Sequence, residues 1–214
     1  MTVLLTLIRH GQSIWNAIGR SQGQAPVPLS DLGQRQAEYL ARIVPDLKPP
    51  VAALYCSDLL RCRQTMAPIA AALNLPVTYD PRLREINVGI WQGMYHEEIR
   101  TMERAAWEAH FADPMVVRIP GGENRTEMRA RAVEAVLEIA ARHSNAHVLV
   151  VLHGGPISEI LRHYGLWPWR VGDPDGPLIG NTARCVIRLS DDAQAAEMIL
   201  MPDVSHLPPE MVTG

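Results

Sequence analysis

The chain has 214 residues, 47% of them hydrophobic and 20% charged, with a formal net charge of -3 and a pI near 6.2. That length fits one domain with a substantial core, and an acidic balance without any run of cations argues against the basic face that nucleic-acid backbones require. No apolar stretch reaches the length of a membrane span and the first residues lack the order of a secretory leader, so a cytoplasmic location is expected.

Residues 3–8 form a continuous apolar run that stops abruptly at Arg9-His10-Gly11-Gln12-Ser13, the pattern of a buried strand with polar residues at its C-terminal end. Ser30-Asp31 has the chemistry of a helix N-cap, and Leu32, Gln36, Leu40 and Ile43-Val44 keep helical spacing until Pro45. A second strand is predicted over residues 51–55, followed by a helix from Asp58 to about Leu73 and a third strand over residues 76–79. From about residue 90 to residue 123 the scheme lapses into a stretch rich in Trp91, Tyr95, Met102, Trp107, Phe111 and Met115, closed by Pro120-Gly121-Gly122. It reads as a cap over the sheet edge.

A helix from about Arg125 to His143 follows, with Met128, Ala132-Val133, Val136-Leu137 and Ala140 on one apolar face. The strand at residues 147–152 stops at His153-Gly154-Gly155, and a helix begins at those glycines and ends near Tyr164-Gly165. Strands at residues 184–189 and 195–201 complete the set, and residues 205–214, with Pro208-Pro209, read as a tail. Such alternation predicts an α/β fold, a mostly parallel central sheet with helices on both faces. The expected organisation is a single domain over residues 1–214 with a small cap insertion at about 90–123.

Cys56, Cys62 and Cys185 form no C-x-x-C pair, so neither a zinc site nor a disulfide framework is suggested. Lys48 is the one lysine and lies in a turn before Pro49-Pro50, which leaves P-loop and Schiff-base chemistry without a positioned amine. His96, His110, His143, His147, His163 and His206 are scattered without metal-ligand spacing and read as solvated or structural. No metal and no cofactor are implied.

Two histidines, His10 and His153, remain at strand C-termini, the edge of an α/β sheet where ligands bind and helix N-termini converge. Arg9 and Arg61 could give bidentate donors to an oxyanion, which suits a phosphate monoester dianion. Glu85, in Leu83-Arg84-Glu85-Ile86-Asn87-Val88-Gly89, follows the third strand and could protonate a leaving oxygen. Arg63 points elsewhere on its helix and reads as a surface charge. Trp15 and Trp91 read as packing anchors, and Glu123 either caps the helix after it or hydrogen-bonds within the site.

Jointly, these blocks resemble the histidine phosphatase superfamily, also called the phosphoglycerate mutase-like family. The resemblance runs through Leu7-Ile8-Arg9-His10-Gly11-Gln12-Ser13, Trp15-Asn16, Arg20-Ser21-Gln22-Gly23, Pro28-Leu29-Ser30-Asp31-Leu32-Gly33, Ser57-Asp58-Leu59 with Arg61 and Gln64-Thr65, the Glu85 block with Trp91 and Gly93, Gly121-Gly122-Glu123, His153-Gly154-Gly155 and Gly180-Asn181-Thr182. It implies a phosphoglycerate mutase-like fold. His10 would become phosphorylated, Arg9, Arg61 and His153 would bind the phosphoryl group, and Glu85 would be the proton donor. Asn16, Gln22 and Gly154 would border the substrate.

Within that family the expected activity is hydrolysis of small-molecule phosphate esters, without metal. The lysine and arginine pair that mutases use to hold a phosphoglycerate have no counterpart in Gly93-Met94-Tyr95-His96-Glu97-Glu98 or elsewhere. Asn124 stands where the family usually has serine. The alternatives are a cofactor-dependent phosphoglycerate mutase and a non-catalytic phospho-ligand-binding module. Trp91, Tyr95, Trp107, Phe111 and Met115 would line an entrance for an ester with a nonpolar portion, or form the cap's own core.

Overall fold

The computed structural model describes residues 2–169 and 179–214. In chain order the elements are β1 (Val3–Arg9), α1 (Ile14–Ala17), α2 (Asp31–Ile43), β2 (Val51–Cys56), α3 (Leu60–Leu73), β3 (Val77–Tyr79), α4 (His96–Met102), α5 (Arg104–Ala112), α6 (Arg125–Arg142), β4 (His147–Leu152), α7 (Gly154–His163), β5 (Arg184–Leu189) and β6 (Ala196–Asp203). Local chemistry sets the helix ends. Ser30 accepts from the Gly33 amide to cap α2 and Asn124 accepts from Glu127 to cap α6, while α3 closes on Asn74 in the left-handed region at φ 50°.

The six strands lie in the order β3-β2-β4-β1-β5-β6. The first four run parallel, and β5 and β6 are antiparallel to the strands before them. Alternate side chains on the central strands feed two cores. Leu5 and Leu7 of β1 and Val148, Val150 and Leu152 of β4 pack with α6 and α7 on one face. Ile8, Leu149 and Val151 pack with Leu40 of α2 and Met66 and Ile69 of α3 on the other. These side chains are fully buried, each worth about 1.5–3 kcal/mol of transfer free energy, which explains why both strands read as unbroken apolar runs. Among the described residues, no helix is long and apolar enough to cross a membrane.

Two expectations are corrected, the start of α3 and the state of the tail. Helix α3 starts at Leu60, two residues later than predicted, because the Asp58 carboxylate is drawn away to the Arg84 guanidinium at 2.7 and 2.5 Å. The stretch expected to form a cap contains two helices, α4 and α5, and its Trp91, Ile99 and Ile119 pack with Ile86, Val88 and Met128 in a separate small core. The tail is packed in place: Gln36 donates to the Met211 carbonyl and Thr213 hydroxyl at 2.7 and 3.0 Å, and the Asn181 amide donates to the Thr213 carbonyl at 2.9 Å.

Candidate active site

Strand register brings the two histidines together. β1 and β4 are adjacent and parallel with Arg9 opposite Leu152, so His10 and His153 leave the same edge side by side. Their rings stand 5.1 Å apart, edge to face, and both are buried. The His10 amide donates to the Leu152 carbonyl at 3.0 Å, and the Asn181 side chain donates to the His10 carbonyl at 3.1 Å. The backbone carrying His10 is therefore held from both flanks.

The hydrogen bonds also determine its tautomer. Arg61 Nε, which can only donate, lies 3.2 Å from His10 Nε2. Nε2 must accept, so the ring proton sits on Nδ1 and is donated to the Gly11 carbonyl at 2.7 Å. Burial, then the positive charges of Arg61 and Arg9, hold His10 well below the usual histidine range, and burial with Arg61 does the same to His153. Both rings are neutral at pH 7.

Arg61 is wholly buried in the first turn of α3. Its Nη1 and Nη2 donate to the Ala25 and Gly23 carbonyls at 3.2 and 2.8 Å, leaving Nε for His10. Thr65, one turn later, accepts from the Gly11 amide at 3.0 Å and donates to the Arg61 carbonyl at 2.7 Å. Arg9 is half-buried, donates to the Ile179 carbonyl at 2.6 Å, and lies against Gly154, where an added Cβ would sit 3.7 Å from Arg9 Cδ. His153 Nε2 is 2.9 Å from the Ser57 hydroxyl and 3.4 Å from Cys62 Sγ. Burial pushes the Cys62 thiol up to about 12, so it stays protonated and does not compete as a nucleophile.

Glu85 sits at the mouth of this group. Its Oε1 accepts from the Ile86 amide at 2.9 Å and its Oε2 from the Gly155 amide at 3.3 Å, at the N-terminus of α7. The carboxyl group lies within electrostatic range of both Arg9 and Arg61. A Cβ at Gly155 would overlap Glu85 Oε1, so a larger residue there would displace the Glu85 carboxyl group. The start of the ten-residue α7 adds its positive dipole end beside the histidines.

Of the other predicted site residues, Asn16 Oδ1 accepts from the Ser13 amide at 3.1 Å and the Asn16 amide donates to the Ser13 hydroxyl at 3.0 Å, closing a capping box on α1. Gln22 Oε1 accepts from the same hydroxyl at 2.7 Å. Ser13 thus ties these two residues to the His10 loop. Arg63 is exposed and stacks on Tyr79, as a surface charge should.

Sequence reasoning missed the clamp on Glu85. Arg131 of α6 donates to the carbonyls of Arg82, Arg84 and Glu85 at 2.8, 2.5 and 2.9 Å and pairs with both oxygens of Glu123. Glu123 in turn accepts from the Asn87 amide at 2.8 Å, so it neither caps α6 nor enters the site but locks the Glu85 loop. Gln24 donates to the Glu85 carbonyl at 3.1 Å. No local motif marks these contacts. Of the large apolar residues of the stretch at about 90–123, Trp91, Trp107 and Phe111 line a cavity of about 630 Å³, whereas Tyr95 is engaged by Arg20 and Met115 Sδ by Arg129.

A family model described as histidine phosphatase superfamily (branch 1) matches residues 5–200. The chain is 37% identical over 158 residues to the metal-independent phosphoserine phosphatase of Arabidopsis thaliana, a match spanning 73% of this chain and 66% of that relative. It is also 37% identical over 159 residues to the probable phosphoglycerate mutase GpmB of Yersinia pestis (strain Pestoides F), covering 72% of this chain and 71% of that one. Among solved structures, Bacillus stearothermophilus YhfR superposes with a TM-score of 0.85 at 31% identity, covering 95% of this chain and 98% of that one.

Proposed function

The chain belongs to branch 1 of the histidine phosphatase superfamily, and from that premise we propose that it hydrolyses phosphate monoesters of small organic molecules through a phosphohistidine at His10. The observation that carries this reading is the Nε2 lone pair of His10, fixed by the Nδ1–H bond to Gly11 and faced by Arg61. In the first half-reaction Nε2 attacks phosphorus, the bond to the ester oxygen breaks, and Glu85 passes its proton to the departing alkoxide. In the second, the Glu85 carboxylate takes a proton from water as the water oxygen attacks phosphorus. The nitrogen–phosphorus bond then breaks and His10 regains its lone pair.

The transferring group stays anionic throughout, so catalysis needs fixed positive charge more than covalent help. Arg61 Nε–H, held in place beside His10 Nε2 by the bonds of the other two nitrogens to Gly23 and Ala25, can be shared with a phosphoryl oxygen that arrives there. Arg9, His153 and the start of α7 supply the remaining donors in this reading, with Asn16, Gln22 and Gly154 bordering the ester. The activity of the Arabidopsis relative supports hydrolysis of a phosphate monoester. A cytoplasmic setting belongs to the same reading, since the three cysteines are free and buried, as suits a reducing compartment.

The Yersinia relative favours a second reading, phosphoglycerate isomerisation. Incubation with p-nitrophenyl phosphate and, separately, with 3-phosphoglycerate plus 2,3-bisphosphoglycerate decides between them. Release of phosphate without isomerisation is expected; isomerisation selects the mutase, and neither reaction would leave a phospho-ligand-binding module.

A further inference from the structure

The cap cavity is larger and differently charged than a phosphate needs. At about 630 Å³ it has the size of a pocket for a drug-sized molecule. Its apolar walls are Ile86, Val88, Ile99, Trp107 and Phe111, and no carboxylate is among its described lining residues. Arg100 and Arg125 also line it. His96 and His110, further along the wall, are held below the usual histidine range by burial, so the positive charge comes from the arginines.

Two buried donors on this wall have no hydrogen-bond partner: the indole N–H of Trp91, a side chain only 4% exposed, and Nε of Arg125. Unpaired buried donors are costly and uncommon, which points to an acceptor that the cavity takes up. The charge of Arg125 is also poorly neutralised. Its Nη1 reaches Glu159 Oε1 at 3.3 Å, but that buried carboxylate is already held by Arg162 at 2.6 Å and Arg129 at 2.7 Å. Among the described residues, three guanidinium groups surround this one carboxylate, a positive excess beside the cavity.

The cavity adjoins the loop that carries Glu85. Ile86 and Val88 lie one and three residues after Glu85, and the Ile86 amide donates to Glu85 Oε1 at 2.9 Å. We infer that this cavity receives the organic part of the ester and selects leaving groups that join a flat apolar body to a second oxyanion, held by Arg125 with Arg100. Trp91 Nε1 donates to the same group or to an acceptor beside it. This rests on the phosphatase reading above. A short aliphatic alcohol would leave the aromatic walls uncovered and both donors unpaired.

The test compares 4-carboxyphenyl phosphate with 4-(hydroxymethyl)phenyl phosphate, two esters of similar shape that differ in charge. The wild-type protein is expected to favour the carboxylate about tenfold in kcat/KM, the scale of one charge-assisted hydrogen bond, and Arg125→Gln to bring the ratio close to one. No preference in the wild type, or a variant that lowers both substrates alike, would overturn the inference. Calorimetry with the two matching benzylphosphonates on the wild-type protein reads the same preference without turnover. If neither ester is hydrolysed the phosphatase reading fails, yet tighter binding of the carboxylated phosphonate would still support the cavity, and equal or weaker binding would overturn it.

Discussion

Arg61 Nε donates to His10 Nε2 across 3.2 Å, joining side chains 51 positions apart in the chain. The contact selects the ring tautomer, and it places a fixed cation on the atom proposed to attack phosphorus. Arg61→Lys cannot hold the Gly23 and Ala25 carbonyls and still reach His10, because an ammonium lacks the planar fork. We expect kcat/KM on p-nitrophenyl phosphate to fall by about 100-fold, with folding checked by circular dichroism. Retention of near wild-type activity would show that the fork is not used.

Glu85→Gln should slow alkyl phosphates by roughly 100-fold, the usual range for a positioned general acid. An aryl phosphate with a good leaving group should lose far less, since nitrophenolate departs without a proton. Equal losses on the two substrates would reduce Glu85 to a loop-supporting role.

Arg131→Met removes three donors to the carbonyls of the Glu85 loop and the partner of Glu123. If Arg131 positions the acid, the variant should reproduce the leaving-group dependence of Glu85→Gln, alkyl substrates suffering most. A structural role alone would lower the melting temperature and affect both substrates equally. Rates and melting curves on the same preparations separate these outcomes.

Stability should fall as pH drops from neutral toward about 5. Unfolded histidines protonate near pH 6.5, whereas burial keeps His10, His153 and His147 below that value and takes His206 to about 4. Between those limits the unfolded chain binds more protons than the folded one, so acidification favours unfolding. The contribution is complete above about pH 6.5 and is lost as pH falls through the folded values. Asp58, Asp80 and Glu123 are held below their usual carboxylate values, so their contribution is lost at lower pH. Urea midpoints at pH about 7.5 and 5 check this; identical midpoints would contradict it.

Much of this architecture could be read from local pattern. Strands buried on both faces leave unbroken apolar runs, so β1 and β4 and the histidines that follow them stood out. Ser30 marks its helix because a cap is a contact between near neighbours. What escaped was long-range. The Asn181 hold on His10 spans 171 positions and the Arg131 clamp on Glu85 spans 46, with no periodicity to announce either. The same holds for the packed tail, where Gln36 meets Thr213 across 177 positions, and for the cavity charge, since Arg125 opens a helix like many surface arginines.

The most direct measurement is phosphate labelling of the protein by rapid acid-free quench during turnover. The account predicts an acid-labile, base-stable label that maps to His10 and disappears in His10→Ala together with turnover. A label that survives in His10→Ala and maps to His153 would contradict it.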